Sequence, residues 1–291
     1  MSRSEVAAPA GPGAAASRMA WAKINLTLHC TGQRADGYHL LDSLVVRAGV
    51  GDALYVMPDE DLSLTVSGPR AEGVPTDARN LVLRAGELLD AGAGRGAALH
   101  LEKHLPAAAG IGGGSADAAA TLELLALHWG LALPKEIARL GADVPVCLSQ
   151  GPQRMQGVGE LLTPLPPLPT CHLVLVNPGV DVPTPAVFSA LSDKNQPPMP
   201  EVIPPFVNLA DFVDFLRLQR NDLAAPAIAR EPVIASCLEA LHDAALARMS
   251  GSGATCFGIY ATAAEAEATA NRISVAAPNW WVAAAPVLGL S

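Results

Sequence analysis

The 291-residue sequence is half hydrophobic, 16% charged, and carries a net charge of −9 at pH 7. That apolar content supplies a real core, while an acidic balance without a Lys/Arg cluster argues against a nucleic-acid surface, which needs basic patches to meet phosphates. No run of about 18 apolar residues offers a membrane span, and five scattered cysteines without CxxC spacing indicate neither a zinc site nor a disulfide framework, as expected of a soluble cytoplasmic protein.

Residues 1–18, rich in Ala, Gly, Pro and Ser, read as a disordered N-terminal extension without the apolar core of a signal peptide. From Trp21 to Cys30 the chain alternates, with Ala22, Ile24, Leu26 and Leu28 on one face and Lys23, Asn25, Thr27 and His29 on the other. That pattern predicts a strand with a buried face and a polar face, on which Lys23 either faces solvent or meets an anion or carboxylate. The turn Ala35-Asp36-Gly37 leads into a second β-rich run that starts at Tyr38 and His39, and DALYVMP and LSLTVSG continue the strands. After Asn80 the spacing predicts a helix ended by glycine; ALHLEKHLP returns to strand and carries Lys103 toward a glycine run. Ser115 is the expected N-cap of a helix reaching Trp129. A further helical segment precedes LGADVPVCL, where Pro145 is expected to hold Val144 extended. Strands follow around Gln153 to Leu162, and the proline-dense segment 163–170 reads as a connection between domains. HLVLVNPG opens the second part as a strand. Thr184 and Phe188 fall in a stiff loop, helices run through Arg248, MSGSGATCFGIY re-enters a strand, and the alanine-rich tail reads as helix.

The chemistry concentrates in the run Pro106, Ala107, Ala108, Ala109, Gly110, Ile111, Gly112, Gly113, Gly114, Ser115, Ala116. Four glycines before a helix let the backbone approach a ligand, and the first-turn N–H groups with the helix dipole attract phosphate oxygens. No Gly-Lys-Ser/Thr follows, and Ser115 stands where GxGxxG needs its last glycine, so two common nucleotide motifs are excluded. Asp143, a carboxylate in an apolar run, is either a proton acceptor or a helix-capping aspartate. The second glycine run, Ser250 to Thr255, is a C-cap turn or a further source of N–H groups. Phe188 either packs in the core or stacks on a base, and His39 is a ligand contact or a structural histidine.

Taken in order, AKINLTLHCTGQRADGYHLLDSL, PAAAGIGGGSADAAA, LGADVPVCL, PGVDVPTPAVF and SGSGAT resemble the GHMP kinase superfamily over about Trp21 to Tyr260. The resemblance implies an α+β fold, with an N-terminal domain (19–165) like domain 2 of ribosomal protein S5 and a ferredoxin-like C-terminal domain (166–291). It implies catalysis by Lys23 and Asp143, with the ATP phosphates wrapped by Pro106 to Ala116. Asn80 and Lys103 match positions near the nucleotide. Asn25, Tyr38, His39, Thr184 and Phe188 match residues that hold a cytidine-bearing substrate, CDP-methylerythritol, whose 2-hydroxyl receives the phosphate. Mg²⁺ would accompany ATP, with Ser115 as the hydroxyl nearest it. Ala116 replaces a second serine often found in the loop, and the stretch from Trp129 to Gly141 is shorter than in many relatives. Nucleic acid and membrane are not expected partners, and the molecule is a monomer or a homodimer. A mevalonate or homoserine kinase, or a catalytically silent nucleotide-binding regulator, remain the alternatives.

Overall fold

The computed structural model describes residues 15–290. In chain order these form strands β1 (Ala16–Asn25), β2 (His29–Gln33), β3 (His39–Met57) and β4 (Leu62–Ser67), helix α1 (Leu81–Asp90), strand β5 (Ala97–Glu102) and helix α2 (Gly113–Trp129). A 3₁₀ turn (Ile137–Arg139), helix α3 (Val144–Cys147) and strands β6 (Gln153–Gly157), β7 (Leu161–Pro164) and β8 (His172–Asn177) follow. Helices α4 (Thr184–Ser189), α5 (Leu209–Arg217), α6 (Ala224–Arg230) and α7 (Val233–Ala240), strands β9 (Leu246–Met249) and β10 (Cys256–Tyr260), helix α8 (Ala263–Ala276) and strand β11 (Trp281–Leu288) complete an α+β chain.

Two compact units interleave along the sequence. The first takes the chain up to Ala22, then Gly51–Ala107 and Gly113–Leu148; the second takes Lys23–Val50, Ala108–Gly112 and the chain from Ser149 onward. The proline-dense segment 163–170 thus lies inside the second unit rather than at an edge of either. Proline density marks irregular backbone, not the limit of a core.

In the first unit β5 lies between β4, parallel to it (Leu64↔Leu99), and the C-terminal half of β3, antiparallel to it (Leu54↔Leu101). Ala97, Leu99 and Leu101 alternate inward and are buried with Leu54, Val56, Val82, Ala85, Leu122 and Leu125. Each such leucine contributes about 1.5–3 kcal/mol by leaving water. Helix α2 is alanine-rich where it packs: Ala116, Ala118, Ala119 and Ala120 are all buried, so strong helix formers with small side chains let neighbours approach closely. Asn80 caps α1 by accepting from the Val82 N–H. Helix α1 ends at Ala91, in left-handed geometry (φ 49°), one residue before the expected glycine.

In the second unit β8, buried from Leu173 to Asn177, runs between β10 and β11, antiparallel to both, and β9 adds to β10. The N-terminal half of β3 pairs with β2 and with the β6–β7 hairpin. Helix α8 opens with a capping box between Thr262 and Glu265.

Several sequence expectations are corrected. Residues 1–14 lie outside the described chain, but β1 already begins at Ala16, inside the expected extension. The alanine-rich tail WVAAAPVL is strand β11, specified by its ladder with β8 (Trp281↔Asn177 to Pro286↔His172), which overrides the helix preference of alanine. The segment LARM is strand β9, so the second glycine run joins two strands and not a helix to a strand. Before LGADVPVCL there is a single 3₁₀ turn, and Val144 is helical, because Pro145 occupies the second position of α3, where its missing N–H costs nothing. No helix among the described residues is long and apolar enough to cross a membrane.

Candidate active site

The glycine run leaves β5 through a buried ion cluster in the first unit. Lys103 donates to Asp52 (2.5 Å) and to Asp117 (2.8 Å), and Asp52 also accepts from the backbone N–H groups of His104 and Leu105. Asp52 thereby fixes the chain just before the loop, and Lys103 ties that point to α2 just after it. Burial opposes the charged form of Lys103, yet Asp117 and Asp52 together raise its ammonium above the ordinary range. Burial, aided by the nearby Asp52, pushes the Asp117 carboxyl up to about 7 against the pull of Lys103. Asp117 Oδ1 has no hydrogen-bond partner among the described residues.

Between these anchors the backbone repeatedly enters the left-handed region, at Ala108 (φ 48°), Gly110 (φ 71°) and Gly112 (φ 65°). Alternation of this kind turns successive N–H groups into a shallow anion-binding concavity. None of the N–H groups from Gly110 to Gly114 donates to a backbone carbonyl among the described residues. Helix α2 begins at Gly113, so Ser115 is its third residue and not its N-cap, and the helix's free first-turn N–H groups include those of Gly113, Gly114 and Ser115. A Cβ at Gly113 or Gly114 would meet nothing nearer than 3.7 Å, leaving the front of this turn open. Gly110 is different: a Cβ there would lie 2.5 Å from Ser250 O and 2.7 Å from Gly253 O. An open, donor-rich turn fits the phosphate chain of a nucleotide.

In the second unit Gly110 is held by the turn between β9 and β10. Ser250 Oγ donates to Gly110 O (3.0 Å), and the Thr255 N–H donates to Ala109 O (3.1 Å). The Asn25 N–H in turn donates to Ser250 Oγ (3.1 Å). The polar face of β1 is not exposed: Lys23, Asn25, Thr27 and His29 are 4%, 1%, 0% and 1% accessible, as deeply covered as the apolar face. Lys23 Nζ donates to Asn25 Oδ1 (2.8 Å), and its backbone N–H donates to Ile111 O. Asp143 stands at the N-cap position of α3 but makes no side-chain capping bond there, so the bland capping role is not the one it plays.

The residues matched to the substrate also fall in the second unit. His39, at the start of β3, stacks on Phe188 of α4 with ring centroids 4.5 Å apart and planes 21° apart. Phe188 therefore rides on a short helix and not a loop. Burial, with Lys194 nearby, keeps the His39 imidazole below its ordinary pKa, and His39 Nε2 is buried without a hydrogen-bond partner among the described residues. Tyr38 beside it is 62% exposed. Thr184 Oγ1 bonds Ser252 Oγ (2.7 Å), which ties α4 to the second glycine turn. Asn80 has its side chain committed to capping α1 and to Pro75 O, and Lys103 has its ammonium committed to Asp52 and Asp117. Sequence reasoning missed Asp52, Asp117 and the anchoring by Ser250. The one available signal was Lys103, a lysine at the end of an apolar strand that needs a buried counter-charge.

Comparison with known proteins defines the class. The family model of the GHMP kinases N terminal domain matches residues 80–152, and that of the GHMP kinases C terminal matches residues 207–278. The chain is thus a GHMP kinase by class. It is 61% identical over 265 residues to the 4-diphosphocytidyl-2-C-methyl-D-erythritol kinase of Dinoroseobacter shibae, spanning 90% of this chain and 91% of that protein. It is 57% identical over 274 residues to the enzyme of that name from Cereibacter sphaeroides, spanning 92% and 98%. A crystal structure of 4-(cytidine 5'-diphospho)-2C-methyl-D-erythritol kinase superposes with a TM-score of 0.72 at 33% identity, covering 94% of this chain and 99% of that one. The chain belongs to the 4-diphosphocytidyl-2-C-methyl-D-erythritol kinase family.

Proposed function

We propose that the protein transfers the γ-phosphoryl group of ATP to the 2-hydroxyl of 4-diphosphocytidyl-2-C-methyl-D-erythritol, a step toward isoprenoid precursors. The observation that carries the reading is the open, donor-rich turn from Gly110 to Gly114 that leads into α2, which fits a phosphate chain. The names of relatives at 61% and 57% identity supply the acceptor. They favour it over mevalonate or homoserine and over a silent regulator.

In this reading catalysis is positioning and charge neutralisation more than covalent chemistry. Asp143 accepts the proton of the 2-hydroxyl; the freed oxygen forms the new P–O bond as the bond to the ADP oxygen breaks, and ADP leaves carrying that electron pair. Lys23, held by Asn25, lends positive charge to the developing anion. The glycine N–H groups and the first turn of α2 hold the phosphates, and Ser115 is the hydroxyl that turn offers to a divalent ion. Mg²⁺, when bound, would screen the phosphate charges. Thr184 would orient the acceptor and Asn25, its amide engaged by Lys23 and Ser43, would act through Lys23, while Tyr38, His39 and Phe188 give the cytosine a flat apolar surface, with His39 Nε2, which has no hydrogen-bond partner among the described residues, as a polar contact. Asn80 and Lys103 act by shaping the loop's surroundings, since their polar groups are already engaged. The five free thiols suit a cytoplasmic enzyme.

The test is the phosphorus and carbon NMR of the product. A new phosphomonoester coupled to the methyl-bearing carbon C2 is expected; phosphate on another hydroxyl, or no product, would overturn the assignment.

A further inference from the structure

A buried chain of hydrogen bonds with a fixed direction runs behind Lys23. Ser43 on β3 is fully buried. Its Oγ donates to Thr27 O and accepts from Asn25 Nδ2 (2.7 Å). Asn25 Oδ1 accepts from Lys23 Nζ (2.8 Å). Both ends of this chain enforce the same sense. A carbonyl oxygen can only accept, so the single hydroxyl proton of Ser43 is committed to Thr27, and Ser43 meets Asn25 with a lone pair. An ammonium can only donate, so Lys23 requires the carbonyl end of the amide. Thr27 is itself fixed: its Oγ1 accepts from the Leu44 N–H (2.8 Å) and donates to Met199 Sδ (3.2 Å).

We propose that Ser43 is a positioning residue for phosphoryl transfer: by presenting only a lone pair, it locks the Asn25 amide in the orientation that holds the Lys23 ammonium. This rests on the reading of Lys23 as catalytic. Ser43 reaches no reacting atom; it acts through Asn25. A serine on the strand paired with that of the lysine would otherwise be an ordinary buried polar residue. What sets it apart is that its one proton has a single destination, so it removes the freedom of the amide to flip.

The test is steady-state turnover of the full chain with ATP and the cytidyl substrate. Ser43→Ala leaves the amide donor unpaired and is expected to lower kcat about 10- to 100-fold, with the KM for ATP within about twofold of the parent. Ser43→Thr, which keeps the hydroxyl, is expected to recover most of that loss. A second measurement separates orientation from packing. In Asn25→Asp two acceptors face each other at Ser43, so turnover falls; adding Ser43→Ala removes the opposing lone pair. The double variant is then expected to lose less than the product of the two single losses. If Ser43→Ala does not fold, Ser43→Cys, of similar volume but a weak donor, takes its place in both measurements. Normal kcat in Ser43→Ala, equal losses in Ser43→Thr, or strictly multiplicative losses in the cycle would each overturn the proposal. Lys23→Ala serves as the control: near-normal turnover there would overturn the reading of Lys23 beneath it.

Discussion

Glycines in the same run do different jobs, and the difference is set by what a Cβ would touch. At Gly110 the backbone has φ 71° and the space is filled by the carbonyls of Ser250 and Gly253. Gly110→Ala is therefore expected to lower stability, read as a lower urea midpoint, whatever it does to binding. At Gly113 the nearest atom is Lys103 Nζ at 3.7 Å. Gly113→Val should leave the urea midpoint close to the parent value and raise the KM for ATP, because the new side chain occupies the ground where phosphate must approach. A matched fall in stability at both positions would remove the distinction. At Asp143, replacement by Asn keeps the shape of the α3 start, where the side chain makes no capping bond. Turnover is expected to fall about 10²- to 10⁴-fold, the usual contribution of a general base, with ATP affinity little changed. Near-parent kcat would take Asp143 out of that role.

At the scale of elements, the glycine loop is flanked on both sides by one buried charge cluster. Asp52 in the C-terminal half of β3 receives Lys103 and two backbone N–H groups, and Lys103 reaches on to Asp117 in α2. Removing one member of a buried charge cluster strands the others, at a cost of about 3–5 kcal/mol. Asp52→Ala should show a loss of that size in urea unfolding, together with a raised KM for ATP. A loss below about 1 kcal/mol would mean the cluster is not holding the loop. Strand β1, the helices α1 and α2 and the glycine run itself were legible in the sequence, because local period and local glycine spacing specify them. The cover over the polar face of β1 was not. Asn25 finds its partners 18 and 225 residues away, at Ser43 and Ser250, and no local pattern announces contacts at such separations. The alanine-rich β11 was misread for the same reason: its composition favours helix, and only the ladder with β8 makes it a strand.

At the scale of the whole molecule, a half-buried histidine and a buried carboxyl pull stability in opposite directions with pH. Burial holds the His39 imidazole below its ordinary value of 6.5, and Lys194 adds to this. Below that pH the unfolded chain binds a proton the folded chain resists, so this group's contribution to stability is lost as pH falls from 7 toward 5. Asp117 has the opposite sign. Its carboxyl is raised by burial to about 7, so over the same window the folded chain takes up the proton first and gains stability. His39→Gln should therefore make the fall in Tm between pH 7 and 5 smaller than in the parent, and Asp117→Asn should make it larger. Identical slopes in parent and both variants would contradict these placements.

The reaction itself is tested by a coupled ADP-release assay, run on the full chain with ATP, Mg²⁺ and one of three acceptors. Release that depends on 4-diphosphocytidyl-2-C-methyl-D-erythritol, and does not occur with mevalonate or homoserine, is the result expected. Release with either of the other two, or nucleotide binding without turnover of the cytidyl substrate, would contradict it.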